Sequence, residues 1–143
     1  MKGHATLIDL GFARQIKEPC SSADGSLMGT MHYVAPERIC SKLSADHRSD
    51  IYSLGVTLYE MVTGRLPFEG DDAAAVVEAH LRSVPPNPRR LVPQLPSRVS
   101  DLVKTMLAKD PLRRPCSAIE LVHKLTALEI ETFEDWDWTA SGK

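Results

Sequence analysis

From Ser49 to Phe68 the chain reads SDIYSLGVTLYEMVTGRLPF. Ile51, Leu54, Leu58 and Val62 recur at helical spacing, and Tyr52, Val56, Tyr59 and Met61 cover most of the remaining circumference. Only Asp50, Ser53, Thr57 and Glu60 are left as a narrow polar stripe. The pattern therefore predicts a central helix over about 49–63 that protein wraps on most sides. Gly64, which can take left-handed backbone, ends it, and Pro67 bars its continuation. In the first turn Asp50 is expected to be shielded, accepting hydrogen bonds from its own helix N-terminus or a neighbouring loop.

Upstream, Thr6-Leu7-Ile8 and Phe12-Ala13-Arg14 flank Asp9-Leu10-Gly11, which predicts a short β-hairpin. Gln15 to Met28 is polar and aperiodic, a loop of a length associated with function. Val34 to Ile39 opens a short helix with Pro36 at an early position, and Cys40 to Arg48 is a polar connector. Downstream, Asp71 is expected to cap a helix over about 72–82 with Ala75, Val76, Ala79 and Leu81 as its apolar positions. Pro85, Pro86, Pro88, Pro93 and Pro96 exclude regular structure between Val84 and Ser97. Ser97 then caps a helix whose stripe is Val99, Leu102, Val103, Met106 and Leu107, stopping at Asp110-Pro111. Ser117 and Glu120 form a capping box for a last helix over about 117–128, striped by Ile119, Val122, Leu125 and Leu128. The reading is a mainly α domain over 1–128 and an acidic tail over 129–143. Phe133, Trp136 and Trp138 in that tail either dock on the domain or meet a partner.

At 143 residues and 43% hydrophobic content the chain has enough apolar mass for one cored domain. A net charge of −2 gives no footprint for nucleic acid and no attraction to an anionic membrane surface. No apolar run reaches the roughly 20 residues that span a bilayer, and MKGHATLID lacks the apolar core of a signal peptide, so a cytoplasmic location is expected. Cys20, Cys40 and Cys116 are odd in number, far apart and without ligand spacing, and read as reduced thiols.

Four motifs then occur in order: Asp9-Leu10-Gly11, GTMHYVAPE at 29–37, SDIYSLG at 49–55 and KDPLRRP at 109–115. In this order and spacing the chain resembles the protein kinase family, specifically serine/threonine kinases of the bacterial type, over nearly its whole length. The resemblance implies the helical C-terminal lobe of a kinase domain, with the activation segment at 9–37. It implies transfer of the ATP γ-phosphate to serine or threonine hydroxyls of a protein substrate. Asp9 would be the Mg²⁺ ligand, with Gly11 beside it at the nucleotide; Leu10 stands where the family usually has Phe. Thr30 would face the catalytic base and the incoming hydroxyl, and Gly29, Met31, His32 and Tyr33 would form the platform under the next substrate residue. Ser26, then Ser22 and Ser21, are the expected phosphorylation sites of the activation segment, with Arg14 as one phosphate partner.

Three further residues match architectural positions of the family. Glu37 and Arg114 correspond to a buried ion bridge that fastens the activation segment to the lobe, and Asp50 to an aspartate that hydrogen-bonds the H-R-D loop. The 143 residues contain neither G-x-G-x-x-G nor H-R-D. The chain is therefore expected to be a truncated kinase domain, inactive alone, whose Met1 stands where kinases carry an internal turn. Its expected partners are a protein substrate and the complementary N-terminal half, with Asp50 left without its main partner loop. The alternatives are a non-catalytic interaction module that presents residues 64–90, and a decayed or mis-started product.

Overall fold

The computed structural model describes residues 31–39 and 46–135, with side chains described as far as Leu128. All regular structure in these residues is helical. A 3-10 turn at Met31–Tyr33 leads to α1 (Pro36–Ile39), α2 (Arg48–Thr63), α3 (Ala73–Arg82), α4 (Pro88–Leu91) and α5 (Ser97–Met106). A second 3-10 turn at Pro111–Arg113 precedes α6 (Ala118–Asp135). The expected hairpin around Asp9, the loop from Gln15 to Met28, most of the 40–48 connector and both tryptophans lie outside the described residues.

α2 is the axis of the lobe. It ends as its sequence predicts: Gly64 takes φ 72° and its N–H donates to the Glu60 carbonyl at 2.7 Å. Tyr52, Val56 and Tyr59 join Ala35, Phe68, Val103 and Leu107 in one core, while Ile51 meets Leu102, Met106 and Leu121 in a second. α5 crosses α2 at Gly55, where a Cβ would come within 2.8 Å of the Met106 Cβ. Glycine is thus required here for close approach rather than for backbone freedom. The expectation of a helix wrapped on most sides is corrected on one flank. Leu54 is 47% exposed and Met61 77% exposed, because the packing partners α4, α5 and the Met31–Tyr33 turn cover only part of its circumference.

Other elements shift in instructive ways. Asp72, not Asp71, caps α3, its carboxylate accepting the Ala75 N–H at 2.7 Å. The prolines between 84 and 97 admit a short helix after all: Pro88 occupies the first turn, where its missing N–H costs nothing, and Asn87 Oδ1 accepts from the Arg89 N–H. The same oxygen accepts the Ser100 hydroxyl at 3.0 Å, tying α4 to α5. Ser97 lies inside α5 behind Pro96 and makes no capping hydrogen bond. At α6, Ser117 Oγ accepts the Glu120 N–H, while Glu120 reaches back one residue further than a capping box does and accepts the Cys116 N–H at 2.6 Å. The helix continues past Leu128 to Asp135. Its inward residue is Leu121, with Leu128 packed alongside, so Ile119, Val122 and Leu125 of the predicted stripe face solvent. Periodicity had located an apolar face of this helix, but not the one that the lobe covers.

Candidate functional site

Pro36 starts α1 and places Glu37 in its first turn, under the surface of the lobe. Arg114 follows the Pro111–Arg113 turn, which Asp110 caps by accepting the Leu112 N–H. Separated by 77 residues, the two side chains meet as a two-pronged pair: Nη1 to Oε1 at 2.7 Å and Nη2 to Oε2 at 2.8 Å. Neither side chain is more than 1% exposed. Ser49, at the start of α2, donates its hydroxyl to Glu37 Oε1 at 2.7 Å. Arg114 uses its remaining donors on the carbonyls of Ala108 (2.8 Å), Arg48 (3.0 Å) and Lys109 (3.2 Å), and its guanidinium lies 4.8 Å from the centre of the Tyr52 ring. Burial works against the charge on Glu37, but the hydrogen bonds from Arg114 and Ser49 outweigh it and hold the carboxyl below its ordinary range. A planar fork with five donors is the one cationic side chain able to satisfy this many acceptors at once.

Next to this pair lies a second, partly buried polar group. Lys109 Nζ donates to the His80 carbonyl at 2.7 Å and the Ala79 carbonyl at 3.2 Å, and stands 3.9 Å from the centre of the Phe68 ring. The Tyr52 hydroxyl is 3.5 Å from Nζ and 2.9 Å from His80 Nδ1. Burial, then the nearby Lys109 charge, push the His80 ring down to about 4; burial, then Arg114, bring Lys109 down to about 8. Burial also raises Tyr52. For His80 and Lys109 burial and a neighbouring cation act in the same direction, whereas for Tyr52 burial outweighs the opposing pull of Arg114.

The turn Met31–Tyr33, the described part of the expected substrate platform, rests on α2 and α3. Tyr33 donates its hydroxyl to Glu60 Oε2 at 2.7 Å, and that bond raises the phenol. Asp50 is a correction. Its side chain is 77% exposed, and Oδ1 pairs with Arg38 Nη2 at 3.1 Å. The first turn of α2 emerges beside α1, so within the described residues the carboxylate is open to solvent rather than shielded. Asp9, Gly11, Ser21, Ser22, Ser26, Gly29 and Thr30 lie outside the described residues. Among the described residues no group of three or more His, Cys, Asp or Glu could hold a metal ion, and no helix is long and apolar enough to cross a membrane.

Glu37, Arg114, Tyr33 and His32 are thus placed around one side of α2, and Met31 with them, while Asp50 stands apart at the surface. Sequence reasoning missed Ser49, Tyr52, His80 and Lys109 as a polar cluster. For His80 a signal existed: it follows Val76 by four residues, on the face of α3 that is buried. Lys109 had none, since its partners lie about thirty residues away on another helix.

The model of the protein kinase domain matches residues 1–125 of the chain. Among curated relatives, serine/threonine-protein kinase PrkC of Bacillus subtilis is 35% identical over 112 residues, covering 78% of this chain and 17% of the relative. Serine/threonine-protein kinase PknJ of Mycobacterium tuberculosis is 38% identical over 123 residues, 85% of this chain and 21% of the relative. A probable serine/threonine-protein kinase of Clostridium perfringens, CPE1738, is 33% identical over 128 residues, 90% of this chain and 18% of the relative. The chain therefore spans about a fifth of the length of these relatives. With a buried Glu37–Arg114 pair in the A-P-E and K-D-P-L-R-R-P motifs and a domain match over most of its length, the chain belongs to the protein kinase family.

Proposed function

We propose that this chain forms the substrate-facing helical lobe of a protein serine/threonine kinase, within a protein that transfers the ATP γ-phosphate to serine or threonine hydroxyls. The observation that carries this reading is the buried pairing of Glu37 with Arg114, which anchors the end of the 9–37 segment to the lobe. A second support is the Tyr33–Glu60 bond, which ties the Met31–Tyr33 turn to α2 directly after Thr30. In the proposed roles Thr30 faces the acceptor hydroxyl, and Gly29, Met31, His32 and Tyr33 underlie the residue that follows it. Asp9 would hold Mg²⁺, whose contribution when bound is to neutralise phosphate charge, and Gly11 would let the backbone approach the nucleotide. Ser26, Ser22 and Ser21 are the proposed phosphorylation sites, and the proposed location is cytoplasmic.

The 143 residues hold no H-R-D and no Gly-rich phosphate loop, so this polypeptide by itself is proposed not to transfer phosphate. Incubation of the purified chain with labelled ATP, Mg²⁺ and a generic protein substrate should leave the substrate unlabelled. Label that appears and then vanishes with Asp9→Ala would overturn this part of the reading.

A further inference from the structure

The hydrogen bonds beneath the Met31–Tyr33 turn run in one direction. A lysine ammonium carries three donors and no acceptor. Lys109 directs its protons to the carbonyls of His80 and Ala79, in the last turn of α3, with the Tyr52 hydroxyl oxygen as a longer third neighbour. Those carbonyls are the negative end of the helix, so the cation is doubly suited to the place. Facing a cation, the Tyr52 oxygen accepts on that side. Its own proton is then directed to His80 Nδ1, 2.9 Å away. An imidazole nitrogen that accepts leaves the ring proton on the other nitrogen. That nitrogen is Nε2, which is buried and has no hydrogen-bond partner among the described residues, on the helix against which the Met31–Tyr33 turn packs. His80 itself is fully buried, with Phe68 set edge-on at 4.9 Å.

We infer that His80 is a positioning residue for the substrate platform: Lys109 and Tyr52 fix its ring with the proton on Nε2, and that N–H braces the backbone of His32. The buried polar residues then form one continuous chain. The observed part runs from His80 through Tyr52 and Lys109 to Arg114, and from Arg114 to Glu37; with the inferred link from His80 to His32, both ends of the 31–37 segment are held by the same cluster. Tyr52 joins the two halves, with its hydroxyl in the His80 group and its ring face under Arg114. From the kinase reading this takes only the identity of 31–33 as a platform. The bracing itself is measured without phosphate transfer, so either idea can fail while the other stands.

The test is nuclear magnetic resonance on the full 143-residue chain. Long-range nitrogen–proton correlations of the imidazole at neutral pH should place the His80 proton on Nε2. In Lys109→Met and Tyr52→Phe, which remove the directing donors, the two tautomers should mix. Hydrogen exchange gives the second readout. His80→Leu should speed exchange of the Val34 amide, which closes the turn onto the Met31 carbonyl, at least tenfold relative to the Gly64 amide at the end of α2. His80→Gln, whose amide can put an N–H near the place of Nε2, should restore slow exchange, and the shorter His80→Asn should not. A proton on Nδ1 in the unsubstituted chain would overturn the proposal, as would equal Val34 exchange in the Leu and Gln variants. If the Leu variant does not fold, the tautomer of the unsubstituted chain decides the matter alone.

Discussion

Replacing Arg114 by Ala leaves the Glu37 carboxylate buried with the Ser49 hydroxyl still donating to it but without its counter-charge. It also takes a donor away from the carbonyls of Ala108, Arg48 and Lys109. Breaking a buried ion pair from one side typically costs about 3–5 kcal/mol, and the orphaned carbonyls place Arg114 toward the upper end of that range. Arg113, one residue earlier, is exposed, and its loss should change stability by no more than about 0.5 kcal/mol. In urea, with a slope of about 1.5 kcal/mol per molar, Arg114→Ala should lower the unfolding midpoint by roughly 2–3 M and Arg113→Ala by less than about 0.4 M. Because the cost comes from the uncompensated carboxylate, the double substitution Glu37→Leu with Arg114→Met should be more stable than Arg114→Ala alone. Acid should act on the same group. The folded Glu37 sits below its ordinary value of 4.5, so its stabilisation is full above that value and is lost as pH falls through the lower folded one. Equal midpoint shifts for the Arg113 and Arg114 variants would refute the reasoning.

The remaining predictions concern the core beside that pair. His80 takes up its proton near 4 in the folded chain and near 6.5 when unfolded, so the unfolded state is protonated first and stability should fall as pH drops from 6.5 to 4, by on the order of 3 kcal/mol. His80→Gln should flatten that part of a stability–pH curve; an unchanged slope would remove His80 as its source. Gly55→Ala should destabilise by about 1–3 kcal/mol in thermal or urea unfolding despite the better helix propensity of alanine, because the new methyl meets Met106 at 2.8 Å. A gain in stability would show that α5 is free to move away.

How far the fold could be read from sequence depended on the range of the interaction. The extent of α2 and its end at Gly64 were legible because hydrophobic spacing and a left-handed stop are local. The inward face of α5 was equally so, with Leu102, Val103 and Met106 buried as their spacing requires. For α6 the same logic chose Ile119, Val122 and Leu125, which face solvent, since a helix with two apolar strips does not itself say which one the lobe covers. Asp50 was misplaced for a related reason: counting the few polar residues of α2 treats them all as enclosed, whereas a first-turn carboxylate beside α1 reaches water. Glu37 and Arg114 could be matched only through the family motifs, because nothing local links residues 77 positions apart. The cluster of His80, Tyr52 and Lys109 had no such guide. Its bonds join positions 28 to 57 residues apart, and each of its polar atoms is legible only once the backbone carbonyls of α3 are in place.

The central claim is that this lobe serves phosphate transfer to protein hydroxyls. It is tested most directly by joining residues 1–143 to the part of the kinase domain that precedes the matched segment in the B. subtilis relative, and measuring transfer of labelled γ-phosphate to a protein substrate. The account predicts label on serine or threonine, lost with Asp9→Ala and reduced with Arg114→Ala. A folded chimera that binds ATP with Mg²⁺ yet labels no serine or threonine, or whose labelling is indifferent to Asp9→Ala, would contradict it.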